Sequence, residues 1–430
     1  MKSSVQSETA AAEWRASWSV VMAAMAGFSF YSVGSYTTGL FMEPLAKEFG
    51  WGRAQISAGL LITSLMTIPL SPAVGALIDR WGSRRLAIPG TALAIAAIAS
   101  FGLANGSMTQ WLLLWTFYGL ASLAIKATVW TAATSNAFTA GRGLALGAVL
   151  CGAAVTQTIA PVLAERLIEA FGWRQAYVWL AVGWGGPVLL LIVLFLVEPA
   201  YRQKGQPGAA SVAAEQKILA GGLGFGEAFR NLPLVRVGVS TLLFMFLSVG
   251  VLIHQVPILT EAGVSRSHAA LLASLGGVAG VLGKLVTGWA SDRADGATVG
   301  ALTLGSAAIA FALLLEPLRS PVTIVVAMII LGYGAGTKMQ ITAYLTSRYG
   351  GMRNFGKIFG VMASLMAVGG GLGPIAAGAV YDHFGSYAHL LIIGIPGALM
   401  CGLLLFRLGP YPNWNTQSDA LARASSLERA

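Results

Sequence analysis

Charge is scarce in this sequence. The 27 Lys and Arg and 17 Asp and Glu make up 10% of 430 residues, against roughly a quarter in soluble domains. With 56% hydrophobic residues and a mean hydropathy of +0.72, a water-soluble globule is excluded. Cysteine is scarcer still: Cys151 and Cys401 both sit in apolar runs, which excludes a disulfide framework and a cysteine-built metal site and leaves them as small packing residues. The four histidines, His254, His268, His383 and His389, show no metal-ligand spacing with acids, so no metal is expected. Nucleotide cofactors are equally unexpected. Gly283-Lys284 follows other glycines, but Val278 and Leu285 occupy required phosphate-loop positions, and Gly332-x-Gly-x-Gly lies inside an apolar run. No nucleophile–base pair has supporting spacing, so the chain does not read as an enzyme. The net charge of +10 is spread over short loops without an aromatic-interleaved basic domain, and nucleic acid is not expected as a partner.

Long apolar runs are plentiful. A bilayer needs about 20 such residues per helix, and twelve runs qualify: about 17–42, 54–78, 86–104, 109–134, 143–168, 174–197, 235–260, 268–290, 297–315, 321–346, 356–381 and 387–407. Backbone groups in hydrocarbon must be satisfied within the segment, so these runs are helices and the fold is all-α, embedded in the lipid bilayer. The first run is too long for a signal-peptide core and reads as a retained helix. Of the 27 Lys and Arg, 18 fall on the side that holds both termini and six on the other, which places the termini in the cytoplasm.

The runs form two matching sets of six. An offset of 213 residues carries Gly75 to Gly288 and Asp79 to Asp292; it also carries Glu48, Gly50 and Arg53 to Glu261, Gly263 and Arg266. Further along, Gly147, Pro161, Phe171 and Gly172 map to Gly360, Pro374, Phe384 and Gly385. Parallel repeats of this kind build transporter folds. The expected organisation is a polar tail at 1–16, a six-helix bundle at 17–197, a linker at 198–234, a second bundle at 235–407 and a tail at 408–430, acting as a monomer.

Three lysines stand inside the runs: Lys126, Lys284 and Lys338. Each charge costs about 2.5–3.5 kcal/mol at the middle of a membrane helix. Lys126 lies some ten residues from the end of its run, roughly 15 Å along a helix, too far for its stem to carry the charge to water. Two readings stand: contact with an anionic substrate, or pairing with membrane acids. The acids Glu43, Glu165, Glu261, Glu316 and Asp382 all lie near run ends. An organic mono- or dicarboxylate is therefore the expected substrate, and Tyr31, Tyr36, Trp130 and Tyr344 are aromatic candidates beside it, equally able to serve as packing. His254 is the candidate proton-coupling residue, with a hydrogen-bonded core histidine as the alternative.

The stretch Gly75-Ala-Leu-Ile-Asp79-Arg80-Trp-Gly82-Ser-Arg84-Arg85, with its echo at Gly288–Arg293, resembles the loop 2–3 signature of the major facilitator superfamily. Phe49-Gly50-Trp51, Phe171-Gly172-Trp173 and Gly250…His254-Gln255 resemble its monocarboxylate and oxalate/formate branch. The resemblance implies twelve helices in two bundles working by alternating access, with helices 1, 4, 7 and 10 lining the cavity. It also implies a cytoplasmic gate at Asp79, Arg80, Arg84, Asp292 and Arg293; a solvated charged turn is the plainer reading. Members of the anion-transporting branch often carry arginine where this chain has Lys284, so the substrate itself is not carried over. The function expected is import of an organic carboxylate by proton symport across a bacterial inner membrane. A metabolite or drug exporter, or an anion exchanger of the same fold, is the alternative.

Overall fold

The computed structural model describes residues 2–138, 141–196, 221–291 and 293–414; the side chains of 2–10, Asp79 and Gly143 lie outside that description. Most of the predicted 198–234 linker, 198–220, also lies outside it. The helices are α1 (Lys2–Phe49), α2 (Arg53–Trp81), α3 (Ser83–Ser100), α4 (Met108–Leu123), α5 (Ala127–Ala137), α6 (Arg142–Trp179) and α7 (Gly185–Phe195). They continue as α8 (Leu232–Glu261), α9 (Arg266–Ser291), α10 (Gly296–Gly305), α11 (Ala307–Leu313), α12 (Pro321–Gly350), α13 (Phe355–Phe384) and α14 (Ala388–Leu405).

Among the described residues, eleven helical stretches are long and apolar enough to cross a membrane. One of them, Leu144–Phe195, holds two spans, because Gly172 turns the chain at φ 76°, ψ 162° inside α6. Twelve spans result. The repeat explains this turn: Gly172 and its counterpart Gly385 (φ 68°), like Gly50 and Gly263 (φ 67° and 85°), adopt the left-handed region that a Cβ disfavours.

The first helix differs from expectation. It starts at Lys2 and not after a polar tail at 1–16. The run Ala10-Ala11-Ala12 favours helix, and the extension is anchored where Gly141 N–H donates to Glu13 (3.0 Å) and the Trp14 ring meets Phe138 (5.3 Å).

Two compact units appear, one of Met1–Tyr201, Val249–Val281 and Gly370–Leu390, the other of Arg202–Ser248, Leu282–Gly369 and Leu391–Ala430. The core of unit 1 includes an aromatic cluster of Phe101, Trp111, Trp115, Tyr118 and Tyr177. Its helices approach to backbone contact, and a Cβ on Gly152 of α6 would lie 2.3 Å from the Met25 carbonyl of α1. Gly152→Leu is therefore expected to cost about 3 kcal/mol through forced separation of two helices. A lowered melting temperature in detergent checks it, and an unchanged one rules out the packing claim.

In unit 2, α8 and α12 meet through the Thr241 and Thr342 hydroxyls (3.0 Å). Leu223 N–H donates to Gly350 (2.9 Å) and Met352 N–H to Gly221 (3.0 Å), tying the end of the linker to the α12–α13 turn. The segment after α14 docks as well: Tyr349 donates to the Gly409 carbonyl (2.7 Å) and Tyr411 to Asp295 (2.8 Å). Burial raises the pKa of Asp295, but bonds from the Thr298 N–H, the Tyr411 hydroxyl and the Thr298 hydroxyl outweigh it and hold the carboxyl below its ordinary value.

Candidate functional site

Lys126 sits at a break. The expected continuous helix over 109–134 stops at Leu123 and restarts at Ala127, with Lys126 extended (φ −70°, ψ 163°) as the residue before α5. No glycine or proline marks the interruption in sequence. Its stabiliser is Trp130, whose indole N–H donates to the Ile125 carbonyl (2.6 Å), one of the acceptors near the break. That ring is fully buried against Gly27 of α1. The Lys126 ammonium is on a half-buried residue and has no hydrogen-bond or ion-pair partner among the described residues.

Lys338, on α12 in unit 2, reaches the Ser248 hydroxyl of α8 at 3.5 Å, the long limit of a hydrogen bond. No carboxylate pairs with it or with Lys126 among the described residues. Lys284 is half-buried on α9, beside Gly283, which packs on Tyr333; the Tyr333 hydroxyl is 2.7 Å from that of Thr287.

The other aromatic candidates are in varied settings. Tyr31 and Tyr36 are half-buried on α1, and the Tyr31 carbonyl accepts from Tyr118 (3.5 Å). Tyr344 donates to the Ser291 carbonyl (3.3 Å) and covers Gly296, bracing the turn into α10. The hydroxyls of Ser29, Ser32, Thr37 and Thr38 bond to carbonyls of their own helix, which satisfies them without a partner helix.

One end of unit 1 is sealed by contacts that follow the 213-residue offset. Asp382 of α13 accepts from the backbone N–H groups of Arg53 (2.8 Å) and Ala54 (2.9 Å) at the start of α2. Glu169 of α6 accepts from the Ser267 hydroxyl (3.1 Å) at the start of α9, and Ala54 and Asp382 are the offset counterparts of Ser267 and Glu169. Glu48 accepts from Trp173 (2.7 Å) and Arg174 (2.6 Å); its counterpart Glu261 accepts from Ser386 and from the Tyr387 N–H (3.0 Å). Asp382 and Glu261 accept backbone N–H groups that a helix start leaves unpaired, whereas Glu48 and Glu169 accept from side chains.

Two parts of this end are not duplicated. His254 of α8 is fully buried: Nδ1 is 2.6 Å from the Tyr387 hydroxyl, and Nε2 is 2.9 Å from the Pro374 carbonyl and 3.3 Å from the Ser57 hydroxyl. Arg53 donates to the same Tyr387 oxygen (2.6 Å) and stacks over the Tyr381 ring at 3.5 Å. Pro374 offers only an acceptor, so Nε2 carries hydrogen, and the Tyr387 hydrogen then points to Nδ1. The network is complete with the imidazole neutral. A second proton would set two donors, from Arg53 and His254, against one phenol oxygen. The offset replaces His254 by Phe41, which stacks on Tyr177 (3.8 Å). The second unduplicated part is the pair of acids around Arg266, Glu43 and Glu165.

Sequence reasoning missed Tyr387, Asp382 and the Arg266 cluster as partners. A usable signal existed in the offset, which already paired Glu48 with Glu261 and Arg53 with Arg266. Of the predicted gate, the Asp79 side chain and Asp292 lie outside the described residues. Arg80 is exposed, Arg84 donates to the Val193 (2.7 Å) and Leu196 (3.2 Å) carbonyls at the end of α7, and Arg293 folds over Trp289 at 4.7 Å.

Twelve apolar spans with charged side chains inside them and turns repeated by a fixed offset define a multi-pass helical membrane transporter. The chain belongs to the Major Facilitator Superfamily, whose model matches residues 22–315 and 237–428. Curated relatives include the MFS transporter asaE of Aspergillus flavus, 26% identical over 345 residues, covering 77% of this chain and 72% of that protein. Monocarboxylate transporter 12-B of Danio rerio is 25% identical, with 90% and 85% covered. The 4-hydroxybenzoate transporter PcaK of Acinetobacter baylyi is 24% identical, with 77% and 80% covered. Among solved structures, a mutant of the nucleoside transporter NupG superposes with a TM-score of 0.73 at 11% identity, over 91% of this chain and 99% of that one, a likeness of fold. These relatives are transporters and not enzymes, and the monocarboxylate and 4-hydroxybenzoate transporters among them are consistent with the organic-anion branch that the motifs resemble.

Proposed function

We propose that the chain is a secondary transporter that imports an organic carboxylate by proton symport and alternating access. The observation that carries this reading is the state of two membrane lysines: Lys126 has no partner among the described residues, and Lys338 has only a neutral hydroxyl at 3.5 Å. An ammonium held in the membrane without an acid calls for an anion that comes and goes. Relatives named for monocarboxylates and 4-hydroxybenzoate support the same substrate class, with Tyr31 and Tyr36 as contacts for a ring. Lys284 joins Lys126 and Lys338 as a cation that meets the carboxylate during transport. In this reading the membrane is a bacterial inner membrane and both termini lie in the cytoplasm, an orientation the lysine and arginine bias supports, with Asp79, Arg80, Arg84, Asp292 and Arg293 at the cytoplasmic gate.

His254 has a defined part in such a cycle. Its network is complete with a neutral ring, and in this reading any proton it holds leaves as the sealed end forms. Protein reconstituted in liposomes should accumulate radiolabelled 4-hydroxybenzoate or lactate when the outside is acidic, and a protonophore should abolish accumulation. In His254→Ala the dependence of uptake on external pH should flatten while counterflow exchange persists. Uptake of neutral or cationic solutes in place of carboxylates would overturn the reading. An unchanged pH profile in His254→Ala removes that residue from it.

A further inference from the structure

Arg266, at the start of α9, is surrounded by more acid than it can pair. Its Nε is 3.0 Å from Glu165 Oε1 on α6, one guanidinium nitrogen is 3.3 Å from Glu43 on α1, and another donates to the Leu40 carbonyl (2.8 Å). Glu169, one turn beyond Glu165, holds Ser267; Lys47 pairs with Glu43 at 2.6 Å. Three carboxylates, Glu43, Glu165 and Glu169, thus share this corner with Arg266, Lys47 and, across a small cavity, Arg53. Glu165 is the most enclosed of them, 3% exposed, and its Oε2 has no hydrogen-bond partner among the described residues. The Arg266 Nε lies near it without hydrogen-bond alignment. An ionised carboxylate in that setting carries a large desolvation cost that one misaligned contact does not offset, whereas a neutral carboxyl carries little.

The repeat separates this feature from the scaffold. Arg53, Ala54 and Asp382 reproduce Arg266, Ser267 and Glu169, so one acid per helix start is enough to seal the end. Glu165 and Glu43 fall opposite Gly378 and Val256, and the other half manages without them. A cavity of about 20 Å³ lined by Glu43, Arg53, Thr260 and Arg266 is large enough for one water molecule beside the cluster.

We propose that Glu165 is a proton-binding site: it takes one proton from solvent as this end of unit 1 closes, and carries it as a neutral carboxyl while the end stays sealed. The proton moves from hydronium to a carboxylate oxygen and no other bond changes. The inference deepens the symport reading by giving its proton a location, and it sets His254 and Glu165 in opposite senses, one losing and the other gaining a proton on closure. Closure is then most favoured between the acid range in which His254 is charged and the alkaline range in which Glu165 is ionised.

The test reads the seal without any substrate. Val256 is buried in this end. Full-length protein with Cys151 and Cys401 replaced by Ala and carrying Val256→Cys is placed in lipid nanodiscs and labelled with a water-soluble maleimide. Rates are normalised to the same chain carrying Thr109→Cys in place of Val256→Cys. Between pH 8 and pH 6.5 the normalised rate should fall at least tenfold, as linkage to one proton allows. Adding Glu165→Gln should make it low and flat, while Glu43→Gln and Glu169→Gln should leave a clear dependence. A dependence that survives in Glu165→Gln, or is lost only in the other two, overturns the proposal. Should Glu165→Gln not fold, the infrared band of a protonated carboxyl should shift in Glu165→Asp; a band that does not shift overturns it equally. Failure of carboxylate uptake would remove the symport reading and leave this result standing.

Discussion

Lys338→Gln is expected to weaken binding of a carboxylate by about 2–5 kcal/mol, the cost of truncating one partner of a desolvated charge pair. At 1.4 kcal/mol per tenfold, that is a loss of roughly thirtyfold or more. The size follows from what the ammonium touches. Among the described residues its one hydrogen bond is to the Ser248 hydroxyl at 3.5 Å, and an arriving carboxylate is a far stronger partner than a hydroxyl. Lys338→Arg keeps the charge but replaces a compact ammonium by a planar fork, so activity should be partly retained with altered preference among carboxylates. Titration with 4-hydroxybenzoate or lactate, followed calorimetrically on folded protein, measures both. Undiminished affinity in Lys338→Gln would make this lysine structural.

Arg266→Gln should be the most destabilising single change at the sealed end. It strands Glu165, 3% exposed, and removes one of the cations beside Glu43, so at alkaline pH the cost should approach about 3–5 kcal/mol. The cost should shrink on acidification as Glu165 takes a proton. Adding Glu165→Gln should recover most of the loss, because the double variant no longer buries an unpaired charge. A thermal-unfolding double-mutant cycle at pH 8 reads the coupling. Strictly additive losses would show that the two side chains do not act together.

The contrast between these two sites shows how far the residues alone reach. Lys338 was legible because a charged residue inside an apolar run is conspicuous at the level of composition. Arg266 was not, because arginine beside a turn is ordinary, and the sequence distance from Glu165 to Arg266 hides their contact. Trp130 offers a similar lesson. Its aromatic character marked it as a possible ring contact, while the fold buries it against Gly27 and uses its indole N–H at a helix break. The break itself carries no glycine or proline, so periodicity predicted a continuous helix through Lys126.

By itself the sequence determined the membrane class, the twelve spans and the turns at Gly50, Gly172, Gly263 and Gly385. These follow from short-range physics: apolar length against bilayer thickness, and a backbone conformation that glycine accepts. Only the tertiary structure decided that His254 is enclosed by Tyr387, Pro374 and Ser57, that Asp382 holds the start of α2, and that Glu165 meets Arg266 with one oxygen unpartnered. A hydrogen bond or ion pair depends on which side chains packing brings within about 3 Å, and no local pattern records that when the partners are a hundred or more residues apart.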